Sequence, residues 1–377
     1  MKSTTLLAGC LATFSFPAFA QSSVTLYGIV DTGVEYVTHA SATGGSMVRM
    51  PSITGELPSR WGVRGTEDLG EGLSAVFQVE SGFNLRGGDL GQGGRLFGRQ
   101  AWVGLQGPWG KLSFGRQYSM IFLSLIDTDI VGPDIYGMGS LDAYIPNARS
   151  DNSVAYIGTF HGWTVGALYS FGRDSTGTGN SPGQGTCAGQ VAGQFTQCRQ
   201  WSAMIKYDAS AFGTAVAYDE QRGGAGAAAN FFDGVAPFPF TNPGDKDVRI
   251  QASGYGKIGP VKVSAGWLGR SVETVSPSVP DVRSNLFFVG ASYQVTPATL
   301  LDGETFRIIN RDQDARATMT TLRGTYSLSK ATAVYLQGSY LWNSAKARYS
   351  PTSGGGGTTP AAGIGQLAVM AGIRHMF

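Results

Sequence analysis

The chain has 377 residues, with 28 Lys plus Arg against 26 Asp plus Glu, and a formal net charge of +2 gives no reason to expect a nucleic acid partner. Only 14% of residues are charged while 56 are glycine, mean hydropathy is −0.04, and no apolar run of roughly 18 residues follows the N-terminus, so helical membrane spans are excluded. The length exceeds the usual single domain, yet no linker, charge run or composition break divides it.

Residues 1–20, MKSTTLLAGCLATFSFPAFA, read as a signal peptide: Lys2, an apolar stretch from Leu6, and Ala18-Phe19-Ala20 as the cleavage site. Leu7-Ala8-Gly9-Cys10 also matches a lipoprotein box, but the apolar run before Cys10 is very short and a better conventional site follows. The expected mature chain is one domain, 21–377, outside the inner membrane. Removing the leader leaves Cys187 and Cys198, an even pair in an oxidising compartment. A disulfide stapling the Gly- and Gln-rich loop around them is the default, and two free thiols are the alternative. The absence of nearby His or clustered Asp argues against a metal site there.

From Ser22 onward, alternating segments of strand length recur. The first, SSVTLYGIVDTGVEYV, puts Val24, Leu26, Gly28, Val30 and Val34 on one parity and Asp31 and Glu35 on the other. Seven connections are short: 65–72, 107–110, 160–162, 209–213, 257–260, 295–297 and 328–331. Eight are long, near 38–58, 84–96, 119–148, 172–199, 220–246, 272–283, 309–316 and 343–363, and rich in Gly, Ser, Pro, Asn or Asp. The two kinds alternate strictly, which implies sixteen antiparallel strands with all long loops at one end. That is the pattern of a transmembrane β-barrel, all-β and closed, because an open sheet edge in hydrocarbon leaves backbone groups unpaired.

The last segment, QLAVMAGIRHMF, alternates to the final residue, with Val369, Ala371, Ile373 and Phe377 on the expected lipid side and Arg374 on the water side. It supplies the strand that must close on the first. A secreted sandwich would not need all its long loops at one end, and no 20-to-50-residue repeat supports a solenoid. Trp61, Tyr118, Trp163, Trp201, Trp267 and Trp342 lie near strand ends, where aromatic girdles form.

Three stretches, SRWGVRGTEDLGEGLSAVFQVESGF, FGRQAWVGLQGPWGKLSFGRQYS and RSDNSVAYIG, together with the terminal GIRHMF, resemble the general diffusion porins of Gram-negative bacteria, particularly the β-proteobacterial branch. The resemblance is dense over 22–170 and at the C-terminus, and thins between. It implies an outer-membrane homotrimer of sixteen-stranded barrels passing small hydrophilic solutes and inorganic ions, with no cofactor. It implies that the third long loop, Tyr118 to Ala148, folds into the lumen opposite a ladder of arginines. On the matching motifs these are Arg60, Arg99 and Arg149, with Arg64 and Arg116 as further candidates; the facing acids are Asp129 and Asp134, with Asp127 secondary and Glu80 on the wall. It also implies that Phe377 ends a strand read by the outer-membrane assembly machinery, where His375 departs from the more usual tyrosine or apolar residue.

Arginine keeps its charge among like charges, so such a cluster holds a fixed positive potential. Facing carboxylates create a transverse field, and fixed charge sets ion preference. The arginines outnumber the acids, which predicts weak anion selectivity. A barrel enzyme is disfavoured: His39, His161 and His375 fall in a loop, a turn and the last strand, with no convergent Ser/His/Asp set. A substrate-specific channel, or an adhesin using loops 172–199 and 220–246, is the remaining alternative.

Overall fold

The computed structural model describes residues 22–52, 55–145, 148–174 and 186–377; the expected signal peptide lies outside them, as does the middle of the loop that carries the cysteines. Sixteen strands form the wall: β1 (Ser23–Val37), β2 (Arg60–Gly70), β3 (Leu73–Gly82), β4 (Gln100–Gly107), β5 (Gly110–Tyr118), β6 (Arg149–Phe160), β7 (Trp163–Ser170), β8 (Gln200–Asp208), β9 (Phe212–Arg222), β10 (Lys246–Ile258), β11 (Val261–Glu273), β12 (Val282–Thr296), β13 (Thr299–Asn310), β14 (Ala315–Ser327), β15 (Thr332–Asn343) and β16 (Gln366–Met376). Each pairs antiparallel with its sequence neighbour. β16 returns to β1 in the register Ile29↔Met376 to Val37↔Ala368, so no edge is left.

The parity expected for the end strands holds. Val24, Leu26 and Val34 are 69%, 60% and 56% exposed on the outer face, while Asp31 and Glu35 are buried inside. Phe377 extends the seam: its N–H donates to Gly28 O at 3.1 Å and its carbonyl accepts from Gly28 N–H at 2.9 Å. Gly28 is needed there, because a Cβ would lie 2.3 Å from the Phe377 ring. His375, on the outer parity, hydrogen-bonds Thr332 Oγ1 at 2.9 Å.

The first short connection is tighter than expected. GTEDLGEG is mostly strand, since Thr66↔Val76 and Asp68↔Ser74 continue the ladder and only Glu71 and Gly72, both at positive φ, make the turn. Acidic residues are tolerated in these pairs because both sides of the strand end reach water.

Cys187 and Cys198 form a disulfide with Cα atoms 5.2 Å apart. Cys198 N–H donates to Gly223 O, which ties this loop to the one after β9. The third long loop leaves the rim and crosses the interior, beginning with helix α1 (Met120–Leu125). Its Met120, Ile121, Leu125, Val131, Met138, Leu141 and Ile145 are buried with wall residues such as Leu168, Leu268 and Phe306. This apolar stretch is the interior's main hydrophobic core. Burying it offsets the cost of drawing a loop out of water.

Candidate functional site: a charged narrowing inside the barrel

The third loop is fastened along one half of the wall by polar contacts in sequence order. Met120 N–H donates to Ser202 Oγ of β8 at 3.0 Å, and the Ser124 hydroxyl donates to Gln251 of β10 at 3.1 Å. Val131 N–H donates to Glu304 of β13 at 2.9 Å, and the Thr321 hydroxyl of β14 donates to Tyr136 O at 2.8 Å. Two arginines complete the attachment. Arg249 holds Asp142 with two parallel bonds of 2.8 and 3.0 Å; Arg323 reaches Val131 O at 3.0 Å, Asp134 at 3.1 Å and Asp302 at 2.8 Å. Bidentate guanidinium contacts fix orientation as well as distance.

The other half of the wall stays open, and there the arginines gather. Arg99 Nε donates to Glu80 at 2.6 Å and its Nη2 to the Tyr118 hydroxyl at 2.7 Å. Arg149 donates to the same hydroxyl at 2.7 Å, with its guanidinium 4.4 Å from the Tyr118 ring centre. Arg60 lies 3.6 Å from Glu80 and donates to Pro58 O at 3.0 Å. Three guanidiniums therefore surround one carboxylate and one phenol. Arg60, Arg99, Glu80 and Tyr118 line a cavity whose far side is Phe122, Ile126 and Asp129 of the loop.

The remaining candidates divide. Arg64 is exposed in the lumen on the turn side of this cluster, over the Tyr27 ring at 5.3 Å. Arg116 departs from expectation: it has the parity of outward-facing Phe114, donates to Gly98 O at 2.8 Å and pairs with Asp151, in a group that includes Arg95 and Asp174. That direction follows the regular register with β4, where Val103 faces Phe114 and Ala101 faces Arg116.

Among the acids, Asp129 faces the cavity, caps Gly132 N–H at 2.9 Å and lies against the Glu304 carboxyl. Burial pushes it up to about 6, and its hydrogen bond with Glu304 holds back part of the rise. Asp134 is instead buried under Arg323, and it caps Tyr136 N–H at 2.8 Å. Asp127 pairs with Lys206 of β8. Tyr118 is a second correction, since it is an interior residue stacked on Phe122 at 4.1 Å, not part of a girdle.

Sequence reasoning did not single out Arg249, Arg270 and Arg323. Each has the inward parity of its strand, and Asp247 lies two residues from Arg249; that alternation of charge with the water-side period was the available signal.

The sequence pattern of a Gram-negative porin family matches residues 3–346. An outer membrane porin protein of Bordetella pertussis is 31% identical over the whole of both chains, and outer membrane porin protein 32 of Delftia acidovorans is 29% identical over the same extent. Among solved structures, an anion-selective porin from Comamonas acidovorans superposes with a TM-score of 0.75 at 26% identity, covering 95% of this chain and all of the other. Such barrels are channels, not enzymes. The chain spans the outer membrane as a multi-pass β-barrel for passive diffusion of small hydrophilic solutes, and it belongs to the Gram-negative porin family.

Proposed function

We propose that the channel prefers anions weakly and that its selectivity is set where the third loop faces Arg60, Arg99 and Arg149. The observation that carries this reading is the charge count on the open arc: two guanidiniums, Arg60 and Arg99, meet one carboxylate, Glu80, and Arg149 adjoins them through the Tyr118 hydroxyl. Fixed guanidinium charge raises the local anion concentration, and Asp129 across the gap turns it into a transverse field that aligns water and dipolar solutes. The similar Comamonas acidovorans structure is described as anion-selective, which supports the same sign here.

The working unit in this proposal is a homotrimer in outer-membrane lipid, delivered by the signal peptide and inserted by assembly machinery that reads the strand ending in Phe377. Purified protein in a planar bilayer under a salt gradient tests both parts. The expected record is conductance in groups of three steps, with a reversal potential of anion sign that shrinks as salt screens the fixed charge. Cation sign would overturn the selectivity, and single uncorrelated steps the trimer.

A further inference from the structure

The outer face of the barrel is apolar over most strands, but one sector is not. Across β11 to β15, one register row reads Trp267, Phe287, Arg307, Thr318 and Trp342. Phe287 and Trp342 are 45% and 51% exposed, so the row faces outward, and Arg307 is exposed with them. Its Nη1 donates to the Thr318 hydroxyl at 2.5 Å, its only hydrogen-bond partner among the described residues, and none of the ion pairs there includes it. The next row toward the loops holds Asn285 and Arg316; the next row the other way holds Thr305 and Thr320, which hydrogen-bond each other at 3.0 Å. Below them come the exposed apolar residues Leu301 and Leu322.

A guanidinium on a lipid-facing surface is costly in hydrocarbon and nearly neutral at the headgroups. The position agrees with the second case. Arg307 is three residues from the end of β13, about 10 Å along the strand, and aromatic residues of the kind that sit at headgroup level flank it. The connection above it, residues 311–314, is too short to cover it. Arg283 and Arg311 stand on the same rim, and the nearby acids Asp312 and Asp314 are already engaged, Asp312 by Arg283 N–H and Asp314 by Arg316 and Lys346. The sector therefore offers an uncompensated cation, hydroxyl donors and flat aromatic surface at one depth.

We propose that Arg307, with Thr318, forms a docking site for the phosphate of a phosphorylated outer-leaflet lipid whose acyl chains lie along Phe287 and Leu322. Guanidinium and phosphate match in charge and in hydrogen-bond geometry, and the neighbouring threonines and Asn285 supply polar contacts for a sugar or glycerol backbone.

Native mass spectrometry of the folded protein in neutral detergent, titrated with short-chain phosphatidic acid, tests this. The wild-type protein should retain the lipid, Arg307→Gln should bind it about tenfold more weakly, and Arg307→Lys should keep most of the affinity. Phosphatidylcholine and inorganic phosphate serve as the other arms: both should bind weakly and equally to all three proteins. Equal retention of phosphatidic acid by wild type and Arg307→Gln would overturn the proposal. Loss of oligomer from Arg307→Gln, with lipid retention unchanged, would also overturn it by making the sector a subunit contact. The channel's conductance and reversal potential should be the same in wild type and Arg307→Gln, which keeps this test separate from the pore reading.

Discussion

The two halves of the barrel interior use the same residue in opposite ways. On the loop-bearing half, Arg249, Arg270 and Arg323 meet Asp142, Asp247, Asp134, Asp302 and Glu56, so positive charge is matched or exceeded. On the open half, Arg60 and Arg99 share the Glu80 carboxylate, and the Tyr118 hydroxyl accepts from both Arg99 and Arg149. An arginine whose charge is cancelled acts as a strut; one left in surplus gives the water beside it a potential. Inward parity says only that a side chain faces the lumen, and the local carboxylate count decides which role it takes.

The largest expected effect comes from breaking the matched side. Arg323→Met leaves Asp134 and Asp302 buried without their cation, while Glu56 keeps Arg374, a loss of about 3–5 kcal/mol in the loop attachment. The closed sheet should survive, while the third loop detaches and open-channel current becomes noisy; a quiet wild-type trace would contradict the strut role. Next, Arg60→Ser with Arg99→Ser removes surplus charge and leaves Glu80 dominant, so the reversal potential should move toward cations, with some loss of thermal stability because Glu80 is then buried without its cations. An unmoved potential would mean that these side chains do not govern the pore.

A smaller effect follows from pH. Burial raises the Asp129 carboxyl above an ordinary aspartate and it titrates together with Glu304, so lowering the pH removes negative charge from the loop side of the gap. Anion preference should rise as pH falls through 6, and Asp129→Asn should flatten that dependence. The sign for stability agrees: a carboxyl raised by folding favours the protonated form, so its contribution is present below the transition and lost above it. The smallest equilibrium effect belongs to the seam, which lies outside both regions. Deleting Phe377 removes two backbone hydrogen bonds to Gly28, about 1–3 kcal/mol together, and should slow membrane insertion without altering selectivity. Normal insertion of the shortened chain would argue against a role for this residue in assembly.

Much of this was legible in one sequence. The strand count, the alternation of short turns with long loops, and the pairing of the last strand with the first all follow from period-two patterning, because lipid and water select opposite side chains at every step of a barrel strand. Asp31, Glu35 and Arg374 fall on the inner face for that reason. What parity could not reveal was direction near strand ends. Tyr118 shares the parity of outward-facing Phe114 but turns inward past the ladder irregularity between Gly115 and Gln117, as the chain enters the loop.

By itself, then, the sequence determined the closed antiparallel barrel and the end that bears the loops, since each is a local, periodic or compositional property. Only the tertiary structure decided which charges remain uncancelled. Asp142 meets Arg249 across 107 positions of chain and Asp134 meets Arg323 across 189, and no local pattern encodes a partner at that separation. Those pairings draw the loop onto one half of the wall and leave the other half positive, because Coulomb attraction depends on distance in space and is indifferent to distance along the chain.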